Sequence, residues 1–321
     1  MLHFLDGMNS LIAVFVSSFI KLVGDIWYNQ VTIKGMIIMQ FKINEDLKLI
    51  REMLELSQEE ISSFIDVDKK TITRLENNKN YPTNETLEKI YNFAYKKGIK
   101  INKIKEMIYK EDNPKSKIIF HGSKNIIDGE ISPNYGRRNN DFGNGFYCGE
   151  SIEQTTSFVS KFSESSVYIL RFDDENLKYE CFDVDQEWML AVAYFRGRLK
   201  EYENNMIIKS IIEKVKKSDY IIAPIADNRM FRIIDRFIDG EITDEQCKHC
   251  LAATNLGKQY VFLTEEATSK IDILERCYIS KAEREFYSKQ KEEDVNDSDN
   301  KVKYALIKYK RDGKYIEEIL K

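Results

Sequence analysis

Apolar residues at helical spacing predict a first helix near residue 44. It is indicated by four apolar residues on one face, Leu47, Ile50, Met53 and Leu54. Ser57 followed by Glu60 forms a capping box, in which each side chain accepts a hydrogen bond from the backbone of the other residue. This pair predicts a second helix from Gln58 to Ile65.

A tight turn at residues 66–68 separates the second helix from a third, predicted from Lys69 to Asn78. Asp68 is suited to cap the start of this helix, and Asn77 or Asn78 can supply the left-handed residue that ends it. A fourth helix then carries Leu87, Ile90, Tyr91 and Phe93 on its core face. The pattern therefore predicts a compact all-α unit.

Short apolar runs alternate with helical stretches after the charged, proline-containing segment Lys110–Lys117. The strand candidates are Ile118–Phe120, Gly145–Cys148, Val167–Phe172, Tyr179–Phe182, Tyr220–Ala223 and Tyr260–Leu263. The helix candidates are Ile152–Lys161, Gln186–Glu203, Met206–Lys217, Met230–Asp239 and Thr243–Leu256. The expected fold is multidomain, with an all-α domain over residues 41–110 and an α+β domain over residues 117–276.

Two terminal segments lie outside these domains. Residues 277–321 form a charged tail that begins as a helix, runs into an acidic linker, and carries a hairpin or strand–turn–helix signal before Gly313. The tail either docks back on the domain or recruits a partner. Residues 1–38 are interpreted as an N-terminal extension, with the working protein beginning at Met36 or Met39. The alternative for its apolar run, Leu11–Val23, is a short helix that associates with a membrane, since the run is too short to span a bilayer.

Composition narrows the class of protein. The 321 residues suffice for two domains, and the net charge of −4 is uneven, with a slightly basic helical unit and an acidic remainder. Five cysteines without framework spacing favour a reducing cytoplasm, and we expect no membrane partner. The pair Cys247 and Cys250 resembles half of a zinc knuckle without a second pair nearby, so no metal site is expected.

The helical unit resembles the Cro/C1-type (XRE) helix-turn-helix repressors over residues 44–108. Leu56–Ile61 reads Leu-Ser-Gln-Glu-Glu-Ile, and Thr71–Asn78 matches the family's third-helix pattern. The resemblance implies that the third helix enters the major groove of DNA and that the protein acts as a homodimer. The DNA-contacting residues implied are Gln58, Lys69, Lys70, Thr71 and Thr73. The alternative is a helical packing module that has lost DNA binding, with Arg74 and Glu76 as an ion pair.

Three residues of the second domain stand out. His121 follows a predicted strand and precedes Gly122-Ser123, where the backbone can approach a ligand closely. Tyr147 follows a loop with two glycines, and Gln259 opens a late strand. Each also has an interpretation without a function. His121 can be a histidine at a strand end whose hydrogen bonds are made within the protein, Tyr147 a core residue, and Gln259 an amide with no special role.

The order His121, Tyr147, Gln259 resembles the His-Tyr-Glu branch of the ADP-ribosyltransferases. The finer pattern from Arg138 through Tyr147 and on to Asp227 resembles a bacterial domain of unknown function, family 3990, over residues 117–275. The resemblance implies NAD⁺ as substrate and transfer of ADP-ribose to a macromolecular acceptor. It implies roles in NAD⁺ binding for Gly122, Ser123, Arg138, Asp141 and Phe142, beside His121 holding the ribose and Tyr147 stacking on the nicotinamide.

The third motif departs from that family because Gln259 stands where a carboxylate is usual. An amide cannot act as a base or supply negative charge. Three alternatives follow: the acceptor brings its own nucleophile, Asp227 or Asp141 supplies the charge, or the domain binds NAD⁺ or ADP-ribose with little or no turnover. The last would make the protein a transcriptional regulator or toxin–antitoxin component that senses the nucleotide. Asp227 has a further interpretation, as a helix cap beside an ion pair with Arg229.

Overall fold

The structure, a computed structural model, describes residues 30–33, 36–254 and 257–321. The apolar run Leu11–Val23 lies outside these residues. Strands β1 (Gln30–Ile33) and β2 (Met36–Met39) pair as a two-stranded antiparallel sheet ahead of the first helix. No helix of the described part of the chain is both long and apolar enough to cross a membrane.

The first domain is a helical unit. Its helices are α1 (Ile43–Met53), α2 (Gln58–Ile65), α3 (Lys69–Glu76), α4 (Asn84–Lys96) and α5 (Ile101–Asp112). The capping box of Ser57 and Glu60 is confirmed, and Asp68 caps α3 by accepting from the backbone of Lys70. Asn78 adopts the predicted left-handed conformation, with φ of +54°.

Helix α5 was not predicted. Its apolar residues Ile101 and Ile104 are at helical spacing, but three polar side chains on the same helix, Asn102, Lys105 and Glu106, are buried as well. Buried polar groups interrupt the apolar stripe by which an amphipathic helix is recognised from sequence. Each has a partner far along the chain: Asn102 donates to the carbonyl of Tyr278, Lys105 pairs with Glu275, and Glu106 accepts from the backbone of Ile152. The pattern of α5 therefore makes sense only in the folded protein.

The second domain is an α/β domain built on a mixed seven-stranded sheet. Its strands are β3 (Lys117–Ser123), β4 (Phe146–Gly149), β5 (Ser166–Phe172), β6 (Tyr179–Cys181), β7 (Tyr220–Pro224), β8 (Lys258–Phe262) and β9 (Ile271–Tyr278). Its helices are α6 (Ile152–Val159), α7 (Gln186–Phe195), α8 (Met206–Lys216), α9 (Asn228–Ile238), α10 (Asp244–Ala252) and α11 (Glu265–Thr268). The strand order is β6-β7-β8-β4-β3-β5-β9, and only the β6–β7 pair is parallel.

All six predicted strands are confirmed in place, whereas β9 was not predicted. The helix predicted over Gln186–Glu203 is shorter, because α7 ends at Phe195 and Gly197 takes a left-handed φ of +95°. Helices α7 to α10 cover one face of the sheet around the buried Trp188, and an aromatic cluster that includes Phe262 fills the other.

The tail is helical. Helix α12 (Lys281–Lys308) has 28 residues, which corresponds to a length of about 42 Å, and a short helix α13 (Ile316–Ile319) follows it. The predicted acidic linker is therefore wrong, and Gly313, with φ of +83°, lies in the turn between the two helices. The tail docks back on the domain: Gln246 of α10 donates to the carbonyl of Leu306 at 2.7 Å, and Thr243 donates to that of Asp312 at 2.5 Å.

A buried charge cluster joins the two domains. The ammonium of Lys105 on α5 lies 2.6 Å from Asp46 on α1 and 2.5 Å from Glu275 on β9, and all three side chains are at most 8% exposed. Tyr91 donates a hydrogen bond to Asp46, and Tyr109 donates one to Glu275 at 2.8 Å. Burial opposes the charge on Lys105, but the two carboxylates raise its pKa well above the ordinary lysine value.

Candidate functional site

The outer face of α3 presents cations to solvent. Lys69, Lys70 and Arg74 are exposed, and Thr71 is half-buried. Lys69 forms an exposed ion pair with Glu59 at 2.5 Å. Lys70 and Arg74 have no side-chain ion pair within the described part of the chain. Such cations are suited to contact phosphates or base edges of DNA.

Two of the residues expected to contact DNA are held in an internal network instead. Gln58 donates to Glu76 at 2.7 Å and accepts from the hydroxyl of Thr73 at 2.8 Å. Glu76 is buried and pairs with Arg51 at 2.8 Å, so the expected pairing of Glu76 with Arg74 is wrong. Arg74 is thereby left exposed, and it is a DNA-contact candidate that the sequence reasoning missed.

The three motif residues of the second domain lie on adjacent strands. His121 is on β3, Tyr147 on β4 and Gln259 on β8, which are neighbours in the sheet. In the register, Gln259 pairs with Gly149, and Gly149 pairs with Phe120, the residue before His121. Tyr147 and Gln259 line one cleft together with Asp141 and Asp227.

His121 does not reach that cleft. Its ring stacks on Phe146, with ring centroids 4.3 Å apart, and its Nδ1 lies 2.7 Å from the carbonyl oxygen of Tyr147. Consecutive residues of a strand point to opposite faces, so His121 lies on the Phe146 side of the sheet and the Tyr147 ring lies on the other. Burial lowers the pKa of His121, and because a carbonyl only accepts, the neutral ring carries its proton on Nδ1. Of the three motif side chains, Tyr147 and Gln259 line this cleft, and His121 lies on the opposite face of the sheet.

The backbone beside His121 is covered by α6. A Cβ at Gly122 would lie 2.7 Å from Val159 and 3.1 Å from a methyl of Thr155, so the glycine permits close packing of this helix on β3. Ser123 accepts from the backbone of Asn125 at 3.1 Å. The expected approach of a ligand to the Gly122 backbone is occupied by protein in this conformation.

The other expected binding residues are dispersed. Phe142 is buried in the core, where its ring meets Phe182 and Phe195. Arg138 is exposed on the loop before Asp141 and lies outside the residues that line the cleft. Neither Phe142 nor Arg138 is therefore placed in the cleft.

Asp141 is the centre of a buried hydrogen-bond network. It accepts from Arg196 Nε at 2.8 Å and Nη2 at 2.5 Å, from the backbone of Ala226 at 2.9 Å, and from Gln259 at 2.7 Å. Gln259 also donates to the carbonyl of Pro224 at 3.1 Å. Both donors of the amide are used, one on a carboxylate and one on a carbonyl. A glutamate at residue 259 would instead bring a second carboxylate against Asp141, which accounts for the amide at this position.

The hydroxyl of Tyr147 forms hydrogen bonds with the backbone of the loop that precedes it. It donates to the carbonyl of Gly143 at 2.9 Å and accepts from the backbone of Phe142 at 3.1 Å. Burial raises the pKa of Tyr147, so the phenol stays protonated at neutral pH. The ring can offer a surface to a ligand, whereas the hydroxyl is committed.

Asp227 caps α9. Its Oδ1 accepts from the backbone of Arg229 at 2.8 Å and of Met230 at 2.9 Å, while Oδ2 has no hydrogen-bond partner among the described residues. Arg229 pairs with Asp299 of α12 at 2.7 Å. The interpretation of this segment as a helix cap beside an ion pair is confirmed, except that the carboxylate of the pair comes from the tail.

The cleft has a volume of about 980 Å³ and adjoins a groove of about 590 Å³. Five cations line the cleft, and two of them, Arg196 and Arg229, are paired with carboxylates. The other three, Lys161, Arg232 and Lys291, have no ion pair within the residues described. No sequence signal distinguishes them, because pairing depends on neighbours distant along the chain.

Cys247 and Cys250 lie on α10. Their thiols point at the carbonyls of Ile233 and Val302, each at 3.7 Å, and burial raises the pKa of Cys250 to about 11. Within the described ranges, no three His, Cys, Asp or Glu side chains are grouped so that they could hold a metal ion.

The helical domain is of a type that binds DNA, and the comparisons agree. A family model described as a helix-turn-helix matches residues 47–93. A second model, described as a protein of unknown function (DUF3990), matches residues 117–273. No curated protein and no solved structure matches the chain. The protein thus carries an XRE-type helix-turn-helix domain followed by a DUF3990 domain.

Proposed function

We propose that this protein is a DNA-binding regulator whose second domain binds NAD⁺ or ADP-ribose without consuming it. The helix-turn-helix domain accounts for the DNA partner. The absence of turnover is inferred from Gln259, whose amide donates to Asp141 and to the carbonyl of Pro224 at a position where the transferases it resembles usually have a carboxylate.

Transfer of ADP-ribose builds positive charge on the ribose as the nicotinamide leaves, and nearby negative charge stabilises that transition state. Gln259 offers none. Asp141 is buried and neutralised by Arg196, and its oxygens already accept four hydrogen bonds. Binding of the nucleotide does not need this negative charge. It needs a cleft of sufficient volume, an aromatic surface and cations for the phosphates.

The cleft meets these requirements. Its volume of about 980 Å³ is in the range of ligand sites in proteins, and the ring of Tyr147 lies in its wall. Lys161 and Arg232 add positive charge that no carboxylate neutralises within the described residues. NAD⁺ and ADP-ribose both carry a pyrophosphate that such cations can bind.

A working transferase is the second candidate. It is favoured by the placement of His121, Tyr147 and Gln259 on three adjacent strands and by Asp227, whose Oδ2 has no hydrogen-bond partner among the described residues. In this alternative, Asp227 supplies the negative charge and α6 moves to expose Gly122. Homodimerisation on paired DNA half-sites is part of either proposal.

Incubation of the full chain with NAD⁺ labelled in the adenosine part separates the two candidates. We expect calorimetry to detect NAD⁺ binding while no nicotinamide is released and no label reaches protein or DNA. Release of nicotinamide that is lost in Asp227→Asn but retained in Asp239→Asn, a matched exposed aspartate at the far end of α9, would establish the transferase instead. Absence of any nucleotide binding would refute both.

A further inference from the structure

Helix α12 forms one wall of the cleft and of the adjoining groove. Lys291 and Val295 of this helix line both, facing Phe158 of α6 and Asp227. The domain of unknown function ends, by the family match, at residue 273, so this wall comes from the tail beyond it. The site is incomplete without the tail.

Lys291 is placed to meet an anion. Its ammonium lies 5.0 Å from the centre of the Phe158 ring, on the cleft side of the helix, and the side chain is half-buried. It makes no ion pair within the described residues, although Glu292 and Asp227 also line the cleft. Lys161 and Arg232 belong to the domain itself, so a ligand in the cleft would meet cations on both sides.

Helix α12 contacts the rest of the protein at its start, over the cleft and at its far end. At the start, the backbone of Lys281 donates to Glu88 of α4 at 2.7 Å and that of Ala282 donates to Asn92 at 2.9 Å. At the far end, the helix packs on α10. Over the cleft, Ser288 donates to Ser160 at 3.2 Å, and Arg229 donates to Ser298 at 2.5 Å and pairs with Asp299 at 2.7 Å. A ligand in the cleft would add contacts to this stretch of the helix.

We propose that α12 completes the nucleotide site, with Lys291 binding the pyrophosphate of NAD⁺ or ADP-ribose opposite Lys161 and Arg232. This inference rests on the proposed function of the cleft. It assigns the tail, which the family match does not include, a direct part in ligand binding.

Calorimetry with ADP-ribose on the full chain tests the assignment, because this ligand carries the pyrophosphate but has no nicotinamide that a transferase could release. Loss of one charge-assisted contact should weaken binding about tenfold in Lys291→Met. Lys291→Arg should restore it, since the guanidinium also binds phosphate. Lys303→Met, a matched exposed lysine of the same helix outside both linings, should bind as the wild type does. Hydrogen exchange should show ligand-dependent protection of residues 288–298.

Inorganic pyrophosphate separates failure of this inference from failure of the proposed function. Equal ADP-ribose affinity in the wild type and Lys291→Met, without protection of the helix, would overturn the inference and leave the proposed function intact. If the wild type binds no nucleotide but binds pyrophosphate in a Lys291-dependent manner, the anion site stands and the nucleotide is wrong. If neither binds, both are overturned.

Discussion

Replacing Lys105 by methionine should destabilise the protein far more than any exposed lysine substitution. The Lys105 side chain is 8% exposed, and its ammonium is the cation nearest to Asp46 and Glu275, which are 2% and 3% exposed. In Lys105→Met, Glu275 keeps Tyr109 and the more distant Lys42 at 3.8 Å, whereas Asp46 keeps only the hydroxyl of Tyr91 among the contacts described. Removal of one partner of a buried pair costs about 3–5 kcal/mol, and we expect a loss in that range.

Urea unfolding at pH 7, followed by circular dichroism, measures this loss as a change in the free energy of unfolding. Lys103→Met is the matched control on the same helix. Its ammonium pairs with Glu106 and Glu153 but is 35% exposed, so its loss should be about 1 kcal/mol or less. The triple substitution Asp46→Asn, Lys105→Met, Glu275→Gln should recover much of the stability, because it leaves no uncompensated charge.

The penalty in Lys105→Met should shrink on acidification. Burial raises the pKa of Asp46 to about 6 even with Lys105 present, and without the lysine it must rise further. A carboxylate whose pKa is higher in the folded state takes up its proton there first, so stability increases as the pH falls toward the unfolded value. A loss in Lys105→Met no larger than in Lys103→Met, or one that grows on acidification, would refute this account of the cluster.

Three further predictions concern other parts of the molecule. Burial raises the pKa of Glu283 from 4.5 to about 7, so stability should fall as the pH rises through that interval, and Glu283→Gln should flatten that part of the unfolding profile. Arg74→Ala should weaken binding to duplex DNA and lower the slope of log affinity against log salt by about 1 in a fluorescence anisotropy titration, with Lys303→Ala unchanged; an unaltered slope would exclude Arg74 from phosphate contact. Gln259→Glu should lower the melting temperature by placing a second carboxylate against Asp141, with no gain of nicotinamide release; a stable variant that cleaves NAD⁺ would contradict the structural role of the amide.

The parts of the fold that local chemistry determines were predictable. Ser57 with Glu60 and Asp68 satisfy backbone groups within three residues of themselves, and the helices they start are confirmed at the expected residues. Helix α5 was missed because its buried polar residues are satisfied far along the chain, as where Asn102 donates to Glu283, 181 residues away. The pattern of residues within one helix does not predict partners that lie so far away in the sequence.

Part of the candidate site was likewise predictable from the sequence and part was not. The order of motifs predicted that His121, Tyr147 and Gln259 lie near one another, and they are on adjacent strands. Which face each side chain occupies depends on strand register, and a shift of one residue reverses the face. Sequence order contains no register, so the position of His121 behind the sheet was not predictable. The role of Asp141 in the hydrogen-bond network was missed for a related reason, because the three residues that donate to it lie 55 to 118 residues away.

The way α12 begins on one domain and ends on the other has a consequence for signalling. Because the helix is held at both ends, a nucleotide bound at the cleft as proposed above would also affect the hydrogen bonds of its first turn to Glu88 and Asn92. If such binding changes the affinity for DNA, reciprocity of linked equilibria requires that DNA change the affinity for the nucleotide by the same factor. Helix α12 would then be the structural link between the DNA-binding domain and the proposed nucleotide site.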